Sequence, residues 1–184
     1  MTRLQSPRPA PSSPFARAEA LLEGWLGLDP YTIGSAAIER AVRQRMKDLG
    51  IEDAEAYADR AAHDPAERDR LVEEVVVAES WFFRDPQVFP FVRRFVATLA
   101  ALPGRQPVRI LSAPCAAGEE PYSLAMALLE AGLVPEQFSI DAIDVSQAAL
   151  DRARRGVYSA NAFRNADLSF RDRWFRDRKS TRLN

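Results

Sequence analysis

The chain has 184 residues, of which 47% are hydrophobic and 28% charged, and its formal net charge is −1. This balance is typical of a soluble globular protein with one domain, or a small domain plus part of another, and offers no overall attraction to nucleic acid or membranes. One cysteine excludes an internal disulfide, and one histidine leaves too few ligands for zinc, so no metal is predicted. Residues 1–13 lack a signal-like apolar segment and are predicted to form a disordered leader of a cytoplasmic protein.

Residues 14–78 are predicted to form a small N-terminal helical domain, because apolar residues recur at helical spacing in four successive segments. The second helix begins near Ser35 and carries its apolar residues on one face. Its opposite face carries three basic residues, Arg40, Arg43 and Lys47. A charged face of this kind is either a partner-binding surface or an ordinary solvated face.

Two Asp-Pro pairs are typical of helix starts. The first pair, at residues 64–65, precedes the fourth helix, and Glu67 stands where a capping box would place it. The second pair, at residues 85–86, predicts the start of a helix within a linker segment, residues 79–107. The aromatic residues just before this helix are interpreted mainly as core, with Phe83 as the buried member.

From residue 108 the apolar pattern changes to strand, helix, strand, helix. The strands are VRILSA and FSIDAID, and the helices that follow them end at Gly132 and Gly156. This alternation predicts parallel strands in a doubly wound α/β sheet. Two such strands do not make a stable open sheet and no strand candidate follows Gly156, so residues 108–184 are expected to be a partial domain, truncated at its C-terminus.

The loop after the first strand, SAPCAAGEEPYS, has one glycine, Gly118, followed by Glu119 and Glu120. Two carboxylates would repel the pyrophosphate that such a loop usually binds. The second strand ends at Asp144, where an acid commonly binds the ribose hydroxyls of an adenosine ligand. S-adenosylmethionine fits both features, because it combines adenosine with a positively charged sulfonium and has no phosphate. The alternative is that both glutamates only stabilise the helix dipole.

Three motifs occur in order along the chain: ESWFFRD, SAPCAAGEEPYSLAM and IDAIDVSQAALDRARRGVY. Over roughly residues 15 to 178 the chain resembles the CheR family of chemotaxis-receptor protein-glutamate O-methyltransferases. The resemblance implies a small helical bundle followed by the first part of a Rossmann-like methyltransferase fold. It also implies methyl transfer from S-adenosyl-L-methionine to glutamate side chains on the cytoplasmic helices of receptors, with S-adenosyl-L-homocysteine as product.

The resemblance assigns roles to individual residues of the three motifs. Arg84 is the expected catalytic residue, since it matches an arginine beside the cofactor and the substrate carboxylate. The expected cofactor-binding residues are Ser80, Arg84, Ala113, Glu119, Glu120 and Asp144. Either glutamate can match the acid that contacts the methionyl portion, with a slight preference for Glu120. Ala78 stands where some members have asparagine, so one polar contact is expected to be absent.

The resemblance also implies partners. The basic face formed by Arg40, Arg43 and Lys47 corresponds to the family's contact with the receptor helix, while nucleic acid and membrane insertion are not expected and the chain is expected to be a monomer. Two alternatives are a binding module without catalysis and a methyltransferase acting on RNA, the latter suggested by the stretch FRDRWFRDRK. Since the family's later cofactor and substrate residues would lie beyond Asn184, this chain alone is expected to be inactive.

Overall fold

A computed structural model describes residues 13–27, 34–76, 79–104 and 106–177. The chain divides into two compact units, Met1–Val77 and Ala78–Asn184. The predicted α/β class is confirmed, since helices build the first unit and helices flank a small parallel sheet in the second. Within the described ranges, no helix combines the length and apolar character needed to cross a membrane.

The described part of the first unit contains α1 (Ala16–Leu26), α2 (Ser35–Leu49), α3 (Ala54–His63) and α4 (Pro65–Val75). Apolar side chains from all four helices pack into one core. Its fully buried members include Leu22, Ile38, Val42, Tyr57 and Leu71. The helical spacing read from the sequence therefore predicted the buried faces of these helices.

Glu67 of α4 has a different role from the predicted one. Asp64 does cap α4, because its carboxylate accepts hydrogen bonds from the backbone N–H groups of Ala66 and Glu67. The side chain of Glu67, however, is fully buried and accepts hydrogen bonds from Arg45 Nε and Nη2, both at 2.9 Å, and from the Tyr57 hydroxyl at 3.1 Å. The capping-box prediction is wrong, because a buried charge needs buried partners and those lie on α2 and α3.

The described part of the second unit contains α5 (Val88–Ala100), β1 (Val108–Ser112), α6 (Glu119–Glu130), β2 (Phe138–Ala142), α7 (Gln147–Arg155) and α8 (Ser169–Trp174). Strands β1 and β2 pair in parallel, with Val108 opposite Phe138 and Ser112 opposite Ala142. Helix α6 connects the two strands and packs against β2 and α5. The predicted order of strand, helix, strand and helix is confirmed.

The segment before α5 corrects two predictions. Asp85 does not cap the helix: it has a left-handed φ of 47°, and α5 begins at Val88. Phe82, rather than Phe83, is the fully buried aromatic residue, with 0% exposure, while Phe83 is half-buried. The rings that surround Phe82 are those of Tyr158, Phe163, Phe170 and Phe175. Residues after α7 thus build the core that holds this segment.

Candidate functional site

The loop at residues 113–118 joins β1 to α6 at the carboxyl end of the sheet, where open α/β sheets bind their ligands. Asp144 follows β2 and reaches this loop: its Oδ2 accepts a hydrogen bond from the Ala116 backbone N–H at 2.8 Å. Its Oδ1 accepts one from the Ser146 N–H at 2.9 Å. Asp144 therefore holds the loop, including Ala116 with its strained φ of 48°, and each oxygen can still accept a further hydrogen bond.

The two glutamates that begin α6 lie in different environments. Glu120 is exposed, and its Oε1 accepts a hydrogen bond from the Ser112 hydroxyl at 2.6 Å. Glu119 is only 6% exposed, and its Oε2 is buried without a hydrogen-bond partner among the residues that the structure describes. Leaving a buried polar atom unpaired costs about 1–3 kcal/mol, and more for a charged group. A donor or a cation from a ligand would satisfy this oxygen, whereas a phosphate would be repelled.

The segment that carries Arg84 is tied to the start of α6. The backbone N–H of Phe83 donates to the Ser123 hydroxyl at 2.9 Å. That hydroxyl donates in turn to the backbone carbonyl of Glu119 at 2.6 Å. Two consecutive hydrogen bonds therefore connect the residue before Arg84 with Glu119.

Two tyrosines pack closely around Gly118, the residue that precedes α6 and has a φ of 96°. A Cβ at Gly118 would lie 2.9 Å from the Tyr158 hydroxyl and from Ala153 Cβ, and 3.0 Å from Tyr122 Cε2. The Tyr158 hydroxyl donates to the Ala117 carbonyl at 2.8 Å, and burial raises its pKa, so it remains a neutral donor. Sequence reasoning missed both tyrosines, although Tyr122 and Tyr158 each belong to one of the three motifs.

The other predicted site residues are placed as follows. Ala113 is exposed at the start of the loop, and Ser80 is half-buried in the segment of Arg84. Ala78 lies outside the described residues. The structure thus brings the loop, both glutamates, Asp144 and the Arg84 segment to one end of the sheet.

The basic residues of α2 belong to the first unit. Arg40, Arg43 and Lys47 are exposed along one face of the helix. Arg43 pairs with Glu39 at 2.8 Å, and its guanidinium lies 4.7 Å from the centre of the Phe15 ring. Part of the positive charge of this face is therefore neutralised within the helix.

Comparison with known proteins gives a family. Residues 78–184 match the family described as "CheR methyltransferase, SAM binding domain". The chain is 50% identical over 160 residues to "Probable biofilm formation methyltransferase WspC" of Pseudomonas aeruginosa. The aligned region covers 86% of this chain and 38% of that relative. The WspC protein of Pseudomonas putida is 44% identical over 151 residues, covering 82% of this chain and 36% of the relative.

"Chemotaxis protein methyltransferase 2" of Pseudomonas aeruginosa is 32% identical over 135 residues, covering 72% of this chain and 47% of the relative. The chain therefore spans less than half the length of these three relatives.

S-adenosyl-L-methionine is the cofactor of this domain, and the residues present fit it. The buried Oε2 of Glu119, which has no partner in the part of the chain that the structure describes, can accept a hydrogen bond from the ammonium group, and Asp144 has acceptor capacity left for ribose hydroxyls. With two acids at the first turn of α6, the loop does not suit a pyrophosphate. The chain belongs to the CheR methyltransferase family, and its second unit carries the domain by which that family binds S-adenosyl-L-methionine.

Proposed function

We propose that the protein transfers the methyl group of S-adenosyl-L-methionine to glutamate side chains on the cytoplasmic helices of chemotaxis-type receptors, forming a methyl ester and S-adenosyl-L-homocysteine. The observation that carries the proposal is the buried Glu119 oxygen without a partner among the described residues, within the domain that matches the CheR family. The relative named for chemotaxis supports a receptor as the methylated protein. The relatives named for biofilm formation favour control of biofilm formation, rather than of swimming, as the cellular response. The reaction takes place in the cytoplasm.

Different site residues are proposed to bind different parts of S-adenosyl-L-methionine. We assign the methionyl ammonium group to Glu119 rather than to Glu120, because Glu120 is exposed and already accepts the Ser112 hydroxyl. Asp144 receives the ribose hydroxyls. When bound, S-adenosyl-L-methionine supplies a methyl group activated by its sulfonium.

Arg84 orients the substrate carboxylate through charge-assisted hydrogen bonds. A glutamate side chain has an ordinary pKa of about 4.3, so it is ionised at neutral pH and the transfer needs no general base. What the enzyme must provide is alignment of carboxylate oxygen, methyl and sulfur, with water excluded. The proposed catalytic contribution of Arg84 is therefore positional.

The basic face of α2 is proposed as the contact for an acidic receptor helix. Arg40 and Lys47 are exposed, while Arg43 pairs with Glu39. Attraction between an exposed basic face and an acidic helix is screened by salt. Association of enzyme and receptor is therefore expected to weaken as ionic strength rises.

The packing of the C-terminal aromatic residues argues against RNA as substrate. Phe170 is buried and Phe175 half-buried in the aromatic cluster of the second unit. The Trp174 indole N–H and Arg173 Nη1 both bind Glu130 Oε1, at 3.0 and 2.9 Å. Phe170 and Phe175, packed in a core, do not offer the free faces on which bases stack, and Trp174, which is 39% exposed, is held by Glu130.

Calorimetric titration with S-adenosyl-L-methionine tests the cofactor site. Glu119→Gln is expected to weaken binding by about 10- to 100-fold, because a charge-assisted hydrogen bond is replaced by a neutral one. Glu136→Gln, which changes an exposed glutamate of the same unit, is the matched control and should bind like the unchanged chain. Equal affinity of both variants would contradict the assignment of Glu119.

Transfer of labelled methyl groups tests the substrate. The measurement compares receptor fragments with RNA, using this chain and a chain extended to the length of its relatives. Labelling of receptor fragments as base-labile esters supports the proposal. If the extended chain binds S-adenosyl-L-methionine but labels neither substrate, the alternative of a non-catalytic binding module is preferred.

A further inference from the structure

Trp81 lies at the centre of a cluster of charged side chains beside Arg84. The guanidinium carbon of Arg84 is 4.7 Å from the centre of the Trp81 ring. The guanidinium carbon of Arg164, from the segment after α7, is 5.2 Å from the same ring centre. Both distances are within the range of cation–π attraction, so one indole ring contacts two arginines that lie far apart in the sequence.

Arg164 is anchored within this cluster. Its Nη1 pairs with Glu79 Oε1 at 2.6 Å, and its Nε donates to the backbone carbonyl of Asn161 at 2.9 Å. The hydrogen bond from Arg164 is the main reason that the pKa of Glu79 is lowered, which favours the ionised form of that carboxylate. The backbone carbonyl of Glu79 also accepts a long hydrogen bond, 3.4 Å, from Arg84 Nη1.

Of the two arginines in this cluster, Arg84 is the one available to bind an anion from a substrate. Glu79 neutralises Arg164, while no carboxylate in the described ranges lies within ion-pair distance of Arg84. Arg84, stacked on Trp81 and with only a long hydrogen bond from Nη1 to the Glu79 carbonyl, has donors available for an anion. An arginine that binds a planar carboxylate needs a defined orientation, because its donors form a rigid fork.

The backbone at Arg84 is also held by the segment that carries Arg164. Phe83 and Asp85, on either side of Arg84, have left-handed φ values of 51° and 47°, which non-glycine residues rarely adopt. Asn165, next to Arg164, donates from its side-chain amide to the Phe83 carbonyl at 3.3 Å. Strained backbone persists only where its surroundings determine it, and here these surroundings include Asn165.

We propose that Arg164 is a positioning residue for methyl transfer: together with Glu79 and Trp81 it holds the guanidinium of Arg84 in the orientation that binds the substrate carboxylate. This inference rests on the proposed function of Arg84. Without Arg164, the Glu79 carboxylate would lose its partner and, because it already interacts with the charge of Arg84, would compete with the substrate carboxylate for that guanidinium.

The first test is the NMR resonance of the Arg84 Nε–H group in this chain, which the Trp81 ring should shift upfield. Arg164→Ala is expected to reduce the shift, and Trp81→Leu to abolish it. Arg154→Ala is the matched control, because Arg154 is an exposed arginine of the same unit, paired with Asp151 at 2.8 Å. An unchanged Arg84 shift in Arg164→Ala overturns the inference.

The second test is a mutant cycle on kcat for methyl transfer, measured with the extended chain. Arg164→Ala is expected to lower kcat about 10- to 100-fold, with little change in the KM for S-adenosyl-L-methionine. The variant that combines Arg164→Ala with Arg84→Ala should be no slower than Arg84→Ala alone, because both substitutions remove the same interaction between Arg84 and the substrate. Additive losses, or a loss equalled by Arg154→Ala, would indicate a general structural role and overturn the inference.

Different results would refute the proposed role of Arg84 and the positioning role of Arg164. If Arg84→Ala leaves transfer unchanged, the proposed role of Arg84 is refuted, and with it the functional part of this inference. If Arg84→Ala abolishes transfer while Arg164→Ala does not change it, only the role of Arg164 is refuted.

Discussion

Replacing Gly118 with alanine is expected to destabilise the second unit and to weaken cofactor binding, because the new Cβ has no space. It would lie 2.9 Å from Ala153 Cβ and from the Tyr158 hydroxyl, and 3.0 Å from Tyr122 Cε2. Carbon atoms in ordinary contact are about 3.5–4.0 Å apart. Either the tyrosines or the loop must move, and the loop carries the backbone N–H that binds Asp144.

The expected loss of unfolding free energy in Gly118→Ala has two contributions. A left-handed backbone costs a non-glycine residue about 1–2 kcal/mol, and Gly118 has a φ of 96°. Overpacking a filled site costs about a further 1–3 kcal/mol. The free energy of unfolding of the second unit should therefore fall by about 2–5 kcal/mol in Gly118→Ala.

Gly132→Ala separates the two contributions. Gly132 lies just after α6, has a similar φ of 87°, and a Cβ there would meet no atom within 4 Å. In Gly132→Ala only the cost of the left-handed backbone applies, so the free energy of unfolding should fall by about 1–2 kcal/mol. Urea unfolding of both variants gives the difference, and calorimetry with S-adenosyl-L-homocysteine should show weaker binding for Gly118→Ala alone. Equal loss of stability and unchanged affinity in both variants would refute the steric argument.

Two further predictions concern buried groups. Glu67→Gln breaks a buried charge pair and should cost about 3–5 kcal/mol in urea unfolding, whereas Glu39→Gln, which breaks the exposed pair with Arg43, should cost about 0.3–0.5 kcal/mol. Burial, and next the charge of Asp144, raises the pKa of the Cys115 thiol above its ordinary value of 9.0. Its reaction with a disulfide reagent should therefore be slower in the folded than in the unfolded chain, and its contribution to stability should be lost as pH rises above 9.0. Cys115→Ala should lack this pH-dependent contribution, and equal thiol reactivity in both states would contradict the reasoning.

Much of the fold is encoded locally. Ser146 caps α7, and its hydroxyl accepts a hydrogen bond from the Ala149 N–H at 2.9 Å, within three residues of sequence. Spacing of apolar residues predicted the buried faces of the helices in the first unit, and the change of period at residue 108 predicted the parallel strands. The loop and Asp144 meet because parallel strands end at the same edge of a sheet, and the parallel order of the two strands was predicted from the sequence.

By itself, then, the sequence determined most of the helices, both strands and the edge of the sheet that carries the site, because caps and periodic patterns act over a few residues, whereas α8 was not predicted. Only the tertiary structure decided which of the two acids of the loop is buried, that Glu67 pairs with Arg45, and that Arg164 joins Arg84 at the Trp81 ring. These outcomes depend on burial and on contacts between residues remote in the chain. Neither quantity is expressed in the spacing of neighbouring residues.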